Sequence, residues 1–155
     1  MTDLKTALAA TAEQVEGELD RLLNREEAPE HALIEAMRYA VLGGGKRVRP
    51  FLVMQSGALF GVSEEARLRT AAAIELVHCY SLVHDDLPAM DDDDLRRGRP
   101  TLHKAFDEAT AILAGDALLT LSFEVIAHPA THANPLVRAE LTQALAKAAG
   151  SHGMV

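Results

Sequence analysis

Apolar residues recur three or four positions apart through most of the chain, the spacing of helices that bury one face. After Asp3, a residue suited to capping, Leu4, Leu8, Val15, Leu19 and Leu22 keep this spacing and predict a first helix to about Asn24. Glu26, Glu27 and Pro29 mark a short break. A second helix is expected from about Pro29, with Leu33, Met37 and Val41 inward, stopping at Gly43-Gly44-Gly45. A third begins near Pro50, a favoured first-turn residue, and ends at Gly61. Ser63 can cap a fourth that runs to about His84. From Ala71 onward this helix is apolar nearly all round, as a buried central helix is. Asp107 or Thr110 starts a long helix through Ile112, Leu113, Leu118, Leu121, Phe123 and Ile126, broken at Pro129, in which Gly115 allows close packing. Asn134-Pro135 is a cap followed by proline at the first helical position, and Val137, Leu141, Leu145 and Ala148 carry one face to Gly150. No internal repeat, low-complexity linker or convincing strand is visible. The pattern predicts one all-α domain over residues 1–155.

Composition supports helices and narrows the function. The 155 residues can bury a sizeable core, and 48% hydrophobic with 25% charged residues is neither disordered nor fibrous. Trp is absent and aromatics are only 4%, while Ala and Leu dominate, which favours helix over sheet. A net charge of -8 argues against a general nucleic-acid binder or a membrane-surface protein. The basic residues nevertheless cluster, as Lys46, Arg47 and Arg49 and as Arg96, Arg97 and Arg99, which suggests local anion sites. Cys79 is the single cysteine, so no intrachain disulfide forms and a reducing compartment is expected. The polar start (Asp3, Lys5, Thr6) has no apolar signal region, and no uninterrupted apolar run has the length of a membrane span. A cytoplasmic protein without membrane insertion is expected.

The densest chemistry lies between Asp85 and Asp94. Six of these ten residues are aspartates (Asp85, Asp86, Asp91, Asp92, Asp93, Asp94), with Arg96 and Arg97 just beyond. Such a run is self-repelling unless neutralised. An anonymous acidic run is commonly a solvated loop. Here it abuts the apolar Ala71–Val83 segment, so its first aspartates stand at the mouth of a core. Carboxylates held there suit a hard divalent cation, above all Mg²⁺ shared with a substrate phosphate. Asp85 and Asp91 are six apart, on different faces of an uninterrupted helix, so the chain around Pro88 must bend to bring them together. An EF-hand loop is excluded, because counting from Asp91 puts Leu95 at the fifth position and Arg96 at the required glycine.

Two further stretches bear on this one. Gly43 to Pro50 is not a P-loop, since Ala40 and Arg47 stand where glycine and Ser or Thr are needed. A helix C-cap followed by solvated basic residues accounts for it. Equally, a glycine-rich break lets a backbone approach an anion, with Lys46 and Arg49 on one side of a first helical turn. His78 lies seven residues before Asp85, two turns back and about 20° off the same face. A histidine on an apolar helix is usually a core residue, but this one can also reach a phosphate beside the aspartates. His84 next to Asp85 admits an HD-type phosphohydrolase, for which a further upstream His and a distant Asp are needed; His31 and Asp116 are available, with nothing distinctive about either.

GGKRVRP (Gly44–Pro50), HCYSLVHDDLPAMDDDDLRR (His78–Arg97) and the GRPTLHKAFDEATAILAGDALL that follows closely resemble the trans-isoprenyl diphosphate synthases. Among these the chain is most similar to the bacterial short-chain farnesyl and geranylgeranyl members, over about Glu35 to Phe123. The resemblance implies antiparallel helices around a deep cavity, the isoprenoid synthase fold, and a homodimer. It also implies condensation of isopentenyl diphosphate onto an allylic diphosphate. By position, Lys46, Arg49 and His78 match residues that hold isopentenyl diphosphate, and Arg97 another contact to it. Asp85 and Asp91 match Mg²⁺ ligands, with Asp86 in the same motif, and Arg96 matches the residue on the allylic diphosphate. Tyr80 and Ser81, five and four residues before Asp85, match positions that limit product length, and a bulky Tyr80 resembles the farnesyl-producing arrangement.

One departure stands out. Members of the family are roughly twice this length and carry a second aspartate-rich motif. Beyond Asp94 this chain has only Asp107 and Asp116. The expectation is an N-terminal portion of a synthase, inactive alone and inclined to self-associate through exposed helix faces. The alternative is a non-catalytic helical subunit that regulates a full synthase, which co-purification of a catalytic partner would favour.

Overall fold

The computed structural model describes residues 3–24 and 30–155, so the break expected at Glu26, Glu27 and Pro29 lies outside the described residues. Helix α1 spans Leu4–Leu23, α2 His31–Val41, α3 Val48–Leu59 and α4 Glu64–Asp85. A two-stranded hairpin follows, β1 Leu95–Arg96 and β2 Arg99–Pro100. Then come α5 Leu102–Ala105, α6 Glu108–Ala127 and α7 Pro135–Ala149.

The caps are those the sequence proposes. Ser63 accepts from the Ala66 amide at 3.4 Å to start α4, Asp107 from Thr110 at 2.8 Å to start α6, and Asn134 from Leu136 at 3.0 Å to start α7. Asp3 stands at the N-cap of α1 without a side-chain cap bond. Helix α3 begins at Val48, two residues before the expected Pro50, because Arg47 takes a left-handed conformation (φ 47°) and turns the chain into the helix early.

Helix α4 is the centre of the molecule. It packs most extensively on α6, then on α3, and also meets α1 and α2. Ala71, Ala72, Ala73 and Leu76 of α4 are fully buried, as are Val15, Leu19, Val41 and Leu118 from its neighbours. Small residues let α4 and α6 approach closely. At Gly115 a Cβ would collide with the imidazole of His84, whose Nε2 lies 3.1 Å from the Ile112 carbonyl oxygen. Gly115→Ala is expected to destabilise the fold by about 1–3 kcal/mol through overpacking, exceeding the roughly 1 kcal/mol that alanine gains in helix propensity. Denaturant unfolding checks this, and an unchanged or raised midpoint would refute the packing account. Helix α6 alone, among the described residues, has the length and apolar composition of a membrane span, and here it forms the core partner of α4.

Beyond the start of α3 and the Asp3 cap, the structure differs from the sequence reading in three further places. The β1–β2 hairpin contradicts the expected absence of strands. Its strands are two residues each, too short to show alternation, and are closed by Arg97 and Gly98, both with positive φ (54° and 78°). The single-turn helix α5 was also not expected. On α7, Ala149 rather than Ala148 is buried, and Leu136 remains 71% exposed.

Candidate active site

Helix α4 delivers its last residue, Asp85, and the chain then turns back on itself. The Leu87 amide donates to the His84 carbonyl (3.1 Å), Met90 to Leu87 (2.9 Å), and the Asp91 amide to the Asp85 carbonyl (2.8 Å). The bend required around Pro88 is therefore present, and it closes between the two aspartates. Among the described residues no hydrogen bond or ion pair engages the carboxylate of Asp85 or Asp91. Asp85 lines a groove of about 400 Å³ together with His78, Arg49, Ser81 and apolar residues that include Val77 and Leu145. Asp85 and Asp91, the two expected cation ligands, thus keep their carboxylates open, as does Asp92 among the described residues. No preassembled group of three or more His, Cys, Asp or Glu ligands occurs among the described residues.

Asp86 has a different role. It is 3% exposed and receives Arg96 in a two-pronged pair, Nε at 2.9 Å to both carboxylate oxygens and Nη2 at 2.5 Å to Oδ1. Such a pair fixes the plane of the guanidinium. The Asp86 hydrogen bond, ahead of any other influence, raises the Arg96 pKa further. Arg96 and Asp86 are thus brought together, and Arg96 Nη1 is the nitrogen left for an incoming anion.

The glycine stretch packs against the hairpin. Arg97 Nη1 donates to the Gly44 carbonyl, and its guanidinium occupies the space a Cβ at Gly45 would need. Gly44 and Gly45 both have positive φ (78° and 144°), which a side-chain-bearing residue rarely adopts. Next to them Lys46 is exposed and free of ion pairs among the described residues. Arg49, on the first turn of α3, places Nη1 3.4 Å from His78 Nε2. Burial, and secondarily the Arg49 charge, lowers the His78 pKa. A neutral ring that accepts from Arg49 at Nε2 has Nδ1–H left to donate. The structure therefore gathers Arg49, His78 and Asp85 on one groove, with Lys46 on the loop before α3, while Arg97 at the hairpin turn lines a separate pocket with Arg96 and Asp86.

The two chain-length candidates part company. Ser81 lines the groove and bonds the His78 carbonyl at 2.8 Å. Tyr80 is 8% exposed, belongs to the core, and stacks edge-on against His84 at 5.6 Å between centroids. His84 in turn faces α6, 3.9 Å from Asp116, while His31 pairs with Glu35 on α2. Of the residues an HD-type centre would need, His84 and Asp116 meet, but His31 pairs with Glu35 instead, and no group of three or more such ligands forms among the described residues.

Sequence reasoning missed one structural group. Arg47 is buried and binds Glu75 at 2.7 Å, the Val41 carbonyl at 2.7 Å and Glu16 at 3.2 Å. This holds the segment that displays Lys46 and Arg49. The signal was available: Glu75 is a lone carboxylate within the apolar Ala71–Val83 run, and a buried charge there requires a partner.

With this geometry in view, the comparisons with known proteins are specific. The polyprenyl synthetase family model matches residues 30–152. The chain is 50% identical over 150 residues to farnesyl diphosphate synthase of Haemophilus influenzae, covering 92% of this chain and 49% of that protein. It is 46% identical to geranylgeranyl pyrophosphate synthase of Catharanthus roseus, covering 99% and 42%. Among solved structures, an apo FPP/GFPP synthase of Zymomonas mobilis superposes with TM-score 0.94 at 54% identity, covering 97% of this chain and 54% of that one. A geranyltransferase of Legionella pneumophila superposes with TM-score 0.89 at 47% identity, covering 95% and 52%. The chain spans about half the length of the curated relatives it matches. A match over most of its residues, at these identities and with this backbone agreement, places the chain in the polyprenyl synthetase family.

Proposed function

We propose that this chain carries the first aspartate-rich half of the active site of a prenyltransferase. The reaction condenses isopentenyl diphosphate with an allylic diphosphate (dimethylallyl or geranyl) to a short-chain product, farnesyl diphosphate. The observation that carries the reading is the turn that bonds the Asp91 amide to the Asp85 carbonyl. It leaves both carboxylates unengaged among the described residues, and Asp85 lines a groove that also holds His78 and Arg49. The farnesyl and geranylgeranyl names of the relatives support it.

The donor set fits Mg²⁺: oxygen only, two carboxylates, and positions left for phosphate oxygens and water. Bound there through Asp85 and Asp91, Mg²⁺ supplies Lewis-acid stabilisation of the departing diphosphate. The chain's own residues supply the rest. Arg96, oriented by Asp86, meets the allylic diphosphate as its C–O bond breaks and negative charge develops. Lys46, Arg49, Arg97 and the Nδ1–H of His78 hold isopentenyl diphosphate, so that its double bond faces the allylic cation. The apolar wall from α4 and α7 excludes water, which would otherwise capture the cation. Departing diphosphate takes the final proton, and no protein base is assigned.

Calorimetric titration of the chain with isopentenyl diphosphate, and with pyrophosphate in the presence and absence of Mg²⁺, tests this reading. Binding of both, with pyrophosphate dependent on the metal, is expected. No heat for either ligand at millimolar concentration would end it. Tyr80→Ala is expected to shift the product of a turnover-competent synthase built on this chain beyond fifteen carbons. Chromatography of the extracted prenyl alcohols reads this, and an unchanged distribution removes Tyr80 from chain-length control and leaves Ser81. The proposed assembly is a cytoplasmic homodimer, consistent with large apolar residues left exposed on α6, Ile112 (44%) and Leu113 (57%).

A further inference from the structure

Thr101 stands at the N-cap of α5, yet its hydroxyl makes no cap bond. It points back toward the aspartate turn instead. Thr101 Oγ1 donates to the Asp93 carbonyl at 2.8 Å and lies 3.4 Å from the Asp94 carbonyl, which also accepts from the Thr101 amide at 3.0 Å. The residue is 2% exposed. Two residues on, His103 is 7% exposed, and its Nδ1 lies 3.3 Å from Thr101 Oγ1. His103 Nε2 is buried with no hydrogen-bond partner among the described residues.

The hydrogen bookkeeping sets the directions. A threonine hydroxyl has one hydrogen, and the shorter contact assigns it to the Asp93 carbonyl. Thr101 Oγ1 can then only accept from His103, which puts the ring hydrogen on Nδ1 and leaves Nε2 without one. The carbonyls held in this way belong to the residues between Asp91 and Arg96. Both ends of that segment are used in the proposed reaction, and neither Asp91 nor Asp92 is tied down by its own side chain.

We propose that Thr101 and His103 are positioning residues for the aspartate turn: a buried relay from His103 Nδ1–H through Thr101 Oγ1 to the Asp93 carbonyl that fixes where Asp91 and Arg96 stand. The proposal rests on the reading given under Proposed function, because the ligand it prepares for is a diphosphate with its metal. Neither residue touches that ligand. Each acts through the backbone of the turn.

Two measurements on the chain as it exists test this. In a multiple-bond proton–nitrogen spectrum of histidine-labelled protein, His103 is expected to show the hydrogen on Nδ1, its signals identified by their loss in His103→Asn. A hydrogen on Nε2 overturns the relay. The second measurement is the affinity for pyrophosphate with Mg²⁺. Thr101→Val and His103→Leu, which break the relay, are expected to lose roughly 10-fold, the effect of about one hydrogen bond. His103→Asn, whose side-chain N–H stands near the position of Nδ1–H, is expected to stay within about 3-fold of the parent. Equal losses in His103→Asn and His103→Leu would reduce His103 to a packing residue and overturn its role. Should Thr101→Val not fold, Thr101→Ser against Thr101→Ala makes the same comparison, and equal affinity in that pair overturns the role of Thr101. Failure of the functional reading is distinguishable, since the parent chain itself then binds no magnesium pyrophosphate, and the positioning role falls with it.

Discussion

Replacing both Asp85 and Asp91 by asparagine is expected to abolish the metal dependence of diphosphate binding and to weaken that binding at least ~100-fold, about 2.7 kcal/mol. The side chains are nearly isosteric, and neither carboxylate has a hydrogen bond or ion pair to lose within the described residues, so the fold should be indifferent. What is removed is the charge that competes for a hard cation against its hydration shell. Asp92→Asn is the matched control. It lies in the same run, at a left-handed position (φ 54°) that asparagine tolerates, and should remain within about 2-fold of the parent. Calorimetry with pyrophosphate at fixed Mg²⁺ makes the comparison. Equal losses at Asp92 and at the Asp85/Asp91 pair would mean that only diffuse negative charge matters, and the site assignment would fail.

The second large effect concerns stability. Glu75→Leu should cost about 3–5 kcal/mol, because it leaves the Arg47 guanidinium buried with its main partner gone. Both side chains are almost fully buried, at 1% and 4% exposure, and the remaining carboxylate, Glu16, lies at the surface with 42% of its side chain exposed. For a domain of this size such a loss lowers the melting temperature by roughly 10 °C. The double replacement Arg47→Met with Glu75→Leu should recover much of it, since no charge is then left unpaired. Thermal unfolding of the two variants decides the matter: a double variant as unstable as Glu75→Leu would show that the pair's geometry, rather than charge burial, holds the segment. Weaker isopentenyl diphosphate binding in a Glu75→Leu chain that remains folded would link the pair to the display of Lys46 and Arg49.

How far these results were legible beforehand differs from element to element. The helices could be read because each of their signals is local. Ser63, Asp107 and Asn134 are caps, Pro135 is a first-turn residue, and the apolar stripe of α4 follows from its own spacing. The site could be read as an inventory, since the aspartates, Arg96, Arg97, Lys46, Arg49 and His78 are each informative by type and order. The hairpin could not, because two-residue strands show no period and Arg97 gives no notice of its left-handed conformation. Nor could the separate fates of Asp86 and Asp85. Adjacent and chemically identical, one is paired with Arg96 and the other is open, and only the path of the chain through β1 makes that division.

The sequence by itself determined the all-α class, the capped starts of α4, α6 and α7, and the family, and it supplied the candidate residues for the chemistry, because capping, periodicity and motif order are properties of neighbours along the chain. The tertiary structure alone decided which of those residues are open to a ligand. It buried Arg47 on Glu75 while leaving Lys46 and Arg49 outside, buried Tyr80 in the core against His84 and set Ser81 on the groove, and placed Thr101 and His103 beneath the aspartate turn. Pairing, burial and orientation depend on residues distant in sequence, and the packing of α4 against its neighbours brings these together.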